Sequence, residues 1–288
     1  MKVLVTGSYG MLAQDLMQEF LSRGHEVVGE DRDTLDILDL PQLKSRVAEV
    51  KPDVVVNCAA WTNVDAAEEN EPGAFALNAV GPQNLALACN EANARLLHVS
   101  TDYVFDGQGE QPYQADDPVS PLGAYGRTKA AGEWAARTNA PDTLILRTAW
   151  LYGAGGNCFP KTLANVLQKN GKASVVNDQS GHALPICSIR DVARVAADLV
   201  ESEAPAGVYH ATSSGETTWW GFTRQIAKTL GMDPDVVAPV SSEEFVRPAP
   251  RPTYSVLGHD SLIRVGVEPI GDWSERWQEA APLVLQAQ

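Results

Sequence analysis

Residues Val3-Leu4-Val5-Thr6 form a short apolar run that stops at Gly7-Ser8-Tyr9-Gly10 and resumes at once as a helical pattern from Met11. A strand this apolar has no face to offer water, so it needs cover on both sides. A glycine turn leading from it straight into a helix begins a βα unit. Few architectures satisfy both demands, and the rest of the first half repeats the pattern.

Met11–Ser22 reads as a helix with Leu12, Leu16 and Phe20 on one face, and Glu26–Gly29 as the next strand. Leu40–Val50 reads as a helix entered through Asp39 and Pro41, and Asp53–Asn57 as a third strand. Leu96–Ser100 is a fourth strand, after a helical Asp65–Asn93 region. Ser120-Pro121 offers an N-cap followed by proline at the first helical position, which predicts a helix through about Thr138. Thr143–Thr148 closes the series as a strand. Apolar strands alternating with helices predict an α/β fold, a doubly wound parallel Rossmann sheet with right-handed crossovers.

The second half is punctuated by Gly153–Gly156, Pro248–Pro252 and Pro269–Gly271. Ile189–Val200 and Trp219–Leu230 read as helices and Val208–Ala211 as a strand. The expected division is a dinucleotide-binding domain over 1–148 and a smaller C-terminal α/β substrate lobe over 149–288. Residues 189–211 are expected to return to the first domain.

At 288 residues and 44% hydrophobic, the chain has ample material for a large core. Its formal charge of −15 argues against nonspecific binding to nucleic acid or anionic membranes, which needs basic surfaces. It does not exclude a small anion held by local cations and helix N-termini. Cys58, Cys89, Cys158 and Cys187 are scattered without metal or disulfide spacing, and are read as reduced thiols in a cytoplasmic protein. The first apolar run is too short for a signal peptide, and no stretch approaches the ~20 apolar residues of a membrane span.

The turn has the spacing Gly7-x-x-Gly10-x-x-Ala13. Its glycines permit close approach of a pyrophosphate to the helix N-terminus, with Met11 and Leu12 in the first turn. Such a turn is also compatible with an ordinary βα loop. A ribose-binding acid is expected about 20 residues on; Asp31 is well placed, with Glu30 the alternative. Arg32 follows and favours a 2′-phosphate, so NADH and NADPH both stay open. Asp36, Ile37, Ala59, Ala60 and Trp61 are candidates for the adenine and ribose walls. Close packing is the other explanation for the two alanines.

Ser100-Thr101 falls where the fourth strand ends, which is where open α/β sheets present ligands. Tyr125 and Lys129 are four residues apart and so share a helix face. A free phenol has a pKa near ~10, and a nearby ammonium lowers it toward the working range. Thr101 donating to a carbonyl, Tyr125 delivering a proton and Lys129 tuning Tyr125 and holding a nicotinamide ribose together suggest hydride chemistry on a ketone.

These motifs, with Asn57-Cys58-Ala59-Ala60-Trp61-Thr62-Asn63-Val64-Asp65, Ser100-Thr101-Asp102-Tyr103-Val104-Phe105, Arg147-Thr148-Ala149-Trp150-Leu151-Tyr152, Asn177-Asp178-Gln179 and Arg251-Pro252, resemble the extended short-chain dehydrogenase/reductases. Within them the dTDP-4-dehydrorhamnose reductases are most similar, over nearly the whole chain. The resemblance implies Thr101, Tyr125 and Lys129 as the catalytic set, and Thr101, Asp102 and Trp150 at the substrate. Tyr103 is a further substrate candidate, and Arg251 a partner for the nucleotide diphosphate. It implies NADPH or NADH as cofactor, a dTDP-4-keto-6-deoxy sugar as substrate, and a monomer or homodimer. Some relatives form a magnesium-bridged dimer, and Asp15 lies near such a position; the remaining ligands are not evident, and Mg2+ is unsupported.

Two features qualify the likeness. Gly181-His182-Ala183-Leu184-Pro185 stands where the family often has Gly-x-Pro-Thr, which opens the question of which deoxysugar is reduced; His182 is read as a loop residue. The related 4,6-dehydratases place a glutamate after Thr-Asp, where this chain has Tyr103. A 4-epimerase could use the same Tyr/Lys pair, and a non-catalytic relative, the regulatory subunit of methionine adenosyltransferase, would not need it.

Overall fold

The computed structural model describes residues 1–181 and 186–286, without the side chains of 186–190. The His182 loop and the Cys187 thiol lie outside the described residues.

Six parallel strands form the main sheet: β1 (Lys2–Thr6), β2 (Glu26–Glu30), β3 (Val54–Asn57), β4 (Arg95–Thr101), β5 (Thr143–Thr148) and, from the second half, β8 (Gly207–His210). Between β5 and β8 lie two short strands, β6 (Ala173–Val176) and β7 (Ser180–Gly181). They pair outside the main sheet with β10 (Val237–Val240) and β9 (Thr217–Thr218), respectively. The order β2-β1-β3-β4-β5-β8 reverses direction between β1 and β3. A doubly wound sheet opens a crevice at such a reversal, beyond the strands' carboxyl ends.

Helices α1 (Met11–Ser22), α2 (Leu40–Val50), α5 (Gly81–Ala92), α6 (Ala124–Asn139) and α8 (Ile186–Glu201) accompany this sheet. Short helices α3 (Val64–Glu69) and α4 (Glu71–Phe75) precede a π-helical stretch over Ala76–Val80. The remaining helices are α7 (Phe159–Asn170), α9 (Trp219–Thr229), α10 (Asp260–Arg264) and α11 (Trp273–Gln286). Val3, Val5, Leu12, Leu16 and Phe20 enter one core cluster with helices α8 and α11; Leu4, Val55, Leu43 and Leu85 enter another on the opposite face. Burying each such side chain contributes about 1.5–3 kcal/mol. The alternation Val3/Leu4/Val5 thus serves two cores at once, which is why no polar residue stands between Lys2 and Thr6.

Asp39 caps α2 as its sequence suggests, accepting from the Gln42 amide at 3.0 Å. The expected Ser120-Pro121 cap does not form: α6 begins at Ala124, after Gly123. The Ser120 amide donates instead to the Val104 carbonyl, drawing that segment onto the strand end. Glu68 of α3 supplies the missing acceptor, taking the Ala124 amide at 2.6 Å. A carboxylate from a distant element therefore sets where the helix begins. Among the described residues no helix is long and apolar enough to cross a membrane.

Candidate active site

A cleft of about 860 Å³ opens at the carboxyl ends of β1 to β5. One end is the glycine turn. Gly7 has φ +70°, and a Cβ there would stand 2.8 Å from the Ala59 amide nitrogen. The turn and the end of β3 therefore lie closer than any side chain allows. The Gly10 amide donates to the Gly7 carbonyl at 2.9 Å, and α1 follows with no side-chain cap on its first amides. A close-approach turn, an uncapped helix start and a roomy cleft fit a dinucleotide's pyrophosphate.

Met11, Leu12, Asp31, Arg32, Asp36, Ile37, Ala59 and Ala60 all line this cleft. Asp31 accepts from the Tyr9 amide at 3.0 Å and the Arg32 amide at 2.7 Å, which holds its carboxylate at the end of β2. Glu30 does not reach the cleft. Its buried carboxylate pairs with Arg46 of α2 at 2.6 Å. Trp61 also lies outside the cleft lining: its indole N–H donates to the Asn63 carbonyl, and the ring joins Ala67, Ala74 and Ala124.

At the other end Thr101, Asp102, Tyr103, Tyr125, Lys129 and Trp150 line the same cleft. Their convergence depends on Gly126, where a Cβ would collide with the Tyr103 carbonyl. Without one, α6 settles on the Asp102–Val104 turn and brings Tyr125 to Thr101. The Tyr103 and Tyr125 rings meet edge to face at 5.5 Å. The Thr101 hydroxyl donates to Asp102 at 2.9 Å. Burial pushes the Asp102 carboxyl up to about 6, with the Ser255 and Thr101 hydroxyls opposing.

The expected tuning of Tyr125 by Lys129 is not what the geometry gives. The Lys129 ammonium turns toward the sheet and donates to the Val99 carbonyl at 2.6 Å. Burial pushes the Tyr125 phenol up to about 12, against a smaller lowering by the Thr101 hydroxyl. Burial brings Lys129 down to about 8, with Glu133 and Cys58 opposing. Spacing of four residues puts both side chains on one helix face, yet Lys129 is long enough to reach the carbonyl beneath it. The phenol is thereby kept protonated, the state a proton donor needs.

Trp150 adopts φ +51°, a left-handed conformation costing an indole of order 1–3 kcal/mol. Its ring stacks on Trp219 at 3.7 Å and 11°, leaving it partly buried at the cleft wall. Trp219 belongs to α9, and sequence reasoning missed it because nothing local marks a tryptophan paired across the chain. Arg251 is outside the cleft lining. It ion-pairs with Asp65 at 3.0 Å and is joined there by Arg247 at 3.5 Å. Among the described residues no group of three or more His, Cys, Asp or Glu could hold a metal ion.

Comparison with known proteins gives this arrangement its relatives. The chain is 44% identical to a dTDP-4-dehydrorhamnose reductase of Streptomyces griseus, over 97% of this chain and 92% of that protein. It is 41% identical to a dTDP-4-keto-6-deoxy-D-glucose reductase of Streptomyces niveus, over 98% of this chain and 96% of that one. Among solved structures it resembles a dTDP-4-dehydrorhamnose reductase of Clostridium acetobutylicum, with a TM-score of 0.94, 38% identity and 99% of each chain covered. The Bacillus anthracis dTDP-4-dehydrorhamnose reductase in complex with NADP matches with a TM-score of 0.92 and 33% identity, over 98% of each chain. The RmlD substrate binding domain model matches residues 1–285, and the chain belongs to that family.

Proposed function

We propose that this protein reduces the 4-keto group of a dTDP-4-keto-6-deoxy sugar with NAD(P)H, in the first instance dTDP-4-dehydro-L-rhamnose to dTDP-L-rhamnose. One observation carries the reading: the Thr101 and Tyr125 hydroxyls and the Lys129 amine line one cleft with the Gly7–Gly10 turn. The names of the relatives and the NADP bound to the Bacillus anthracis protein support it.

In this reading Gly7, Gly10, Met11 and Leu12 hold the pyrophosphate, and Asp31 or Arg32 the adenosine ribose. Asp36, Ile37, Ala59 and Ala60 form the walls. Bound there, a reduced nicotinamide supplies hydride to the C4 carbonyl carbon. Thr101 orients the ketone oxygen and Tyr125 gives it a proton. An alkoxide is a stronger base than a phenolate, so a phenol at about 12 still transfers its proton downhill. The phenolate left behind is buried, and in this reading the Lys129 ammonium swings to it from the Val99 carbonyl and stabilises it. The Trp150 face suits the C–H face of the sugar, and Asp102 and Tyr103 border it. Trp61 and Arg251 remain proposed contacts only if their neighbours move on binding; Arg251 would leave Asp65 for the diphosphate.

Turnover should therefore fall above about pH 8, as Lys129 loses its proton. A kcat profile measured from pH 6 to 10 checks this; a flat profile to pH 10 would show that turnover does not need the Lys129 ammonium. Asp31→Ala should raise the NADPH to NADH ratio of kcat/KM by about 10-fold, the scale of one hydrogen bond to a charged group. Initial rates with both nucleotides measure it.

The Streptomyces niveus relative favours a second reading, a reductase of a differently configured 4-keto sugar. Initial rates against a panel of dTDP-4-keto sugars, with NMR of the product, decide between them. We read 1–148 as the nucleotide domain and 149–288 as mainly a substrate lobe; the entry of β8 into the main sheet supports a return of 189–211. We also take the protein to be a monomer or homodimer, and to work in the cytoplasm, the latter supported by free thiols at Cys58, Cys89 and Cys158.

A further inference from the structure

Beneath the cleft lies a charged cluster that none of the steps above uses. Glu133 of α6 and Arg147 of β5 form a bidentate pair, Nε to Oε1 at 2.9 Å and Nη2 to Oε2 at 2.8 Å. Each side chain is 3% exposed. The Ser100 hydroxyl of β4 donates to the same Oε1 at 2.5 Å. Phe105 lies under the guanidinium, 4.9 Å from ring centre to Cζ. Burying two ions costs several kcal/mol each, and apolar side chains of similar volume often do as well. Stability alone is thus a poor account of the pair.

Its place in the fold suggests another. Ser100 faces Arg147 across the β4–β5 ladder, and the next register pair is Thr101 with Thr148, both at the cleft. Glu133 stands one helical turn beyond Lys129 on α6. We infer that Glu133, clamped by Arg147 and Ser100, is a positioning residue for Lys129: a fixed counter-charge that keeps the buried amine an ammonium while leaving it free of a direct ion pair.

The groups around that amine support this. Lys129 is 2% exposed. Just past β3 it meets the Cys58 thiol, which burial pushes up to about 12. From β4 it meets His98, held well below the usual imidazole range by burial beside the ammonium. On its own helix, Tyr125 is a neutral phenol. Asp102 sits across the phenol and acts on Tyr125. Glu133 is the carboxylate that acts on the ammonium, raising its affinity for the proton against the loss caused by burial. A carboxylate fixed by Arg147 and Ser100 cannot swing up to pair with Lys129, so the ammonium stays available to the phenolate.

The inference rests on Lys129 working as an ammonium, and its test does not need turnover. In protein labelled with [13C]lysine, the Lys129 side-chain resonance, assigned by its loss in Lys129→Met, reports the amine's titration directly. Glu133→Gln keeps the shape and an acceptor for Ser100 and Arg147 Nε, loses the bond from Arg147 Nη2, and removes the charge. It should lower the Lys129 midpoint by about one pH unit or more while other lysines stay put. Glu133→Gln/Arg147→Met removes the stranded cation, and should recover thermal stability while the Lys129 midpoint still lies below that of the wild type. A midpoint unchanged in either variant, with only the melting temperature altered, would reduce the cluster to a structural pair and overturn the inference. These shifts in the variants, together with a wild type that turns over no dTDP-4-keto sugar, would count against the proposed function and leave the counter-charge standing.

Discussion

Tyr125→Phe is expected to lower turnover of a dTDP-4-keto-6-deoxy sugar by ~10²-fold or more, the scale of a lost general acid. Nucleotide affinity should stay near wild type. The substitution deletes one oxygen and keeps the ring, so the edge-to-face contact with Tyr103 and the seating of α6 survive. Neither neighbour in the catalytic set replaces the lost proton: Thr101 is a weaker acid whose hydroxyl is committed to Asp102, and Lys129 donates to the Val99 carbonyl. Steady-state rates with a fluorescence titration of NADPH separate the two quantities. Turnover within a few-fold of wild type would remove Tyr125 from the mechanism.

Arg147→Ala should produce the largest loss of stability. It leaves Glu133 buried with only Ser100 as partner, and breaking one side of a buried pair costs about 3–5 kcal/mol. For a chain of 288 residues that corresponds to a fall of about 5–8 °C in the unfolding midpoint. Phe105 also loses the guanidinium lying over its ring. Calorimetry of the variant beside wild type measures the effect, and a midpoint within about 2 °C of wild type would show that the site relaxes or hydrates.

The frame of the sheet was legible because its strands obey one rule. Val3–Val5, Val54–Val56 and Leu144–Leu146 are buried on both faces, so each prints as an unbroken apolar run. Helix α1 matches its expected bounds, and α2 does too, because Asp39 and Pro41 act locally. The start of α6 was not legible, since its first amide is satisfied by Glu68, 56 residues away. From sequence Asp31 stood first, with adjacent Glu30 the alternative. The structure separates them: Glu30 is claimed by Arg46, while Asp31 is held by the Tyr9 and Arg32 amides.

The residues at the candidate site follow the same division. Positions fixed by strand ends and the helix repeat, such as Thr101, Tyr125 and Lys129, come together at the cleft. What spacing cannot specify is where a long side chain points, and the Lys129 ammonium points at a carbonyl. The partners of Trp150 and Lys129 escaped notice for the same reason: Trp219 and the Val99 carbonyl approach from other elements. Trp61 was placed by neighbourhood in sequence and Arg251 by resemblance, but hydrogen bonding to Asn63 and pairing with Asp65 hold them off the cleft.

The most direct test of ketone reduction in this cleft is to run the reaction with nicotinamide deuterated at C4 and to find the label in the product by NMR. Stoichiometric transfer of one deuterium to C4 of the sugar, abolished with turnover in Tyr125→Phe, is the result this account predicts. Sugar recovered without deuterium at C4, or transfer undiminished in that variant, would contradict it.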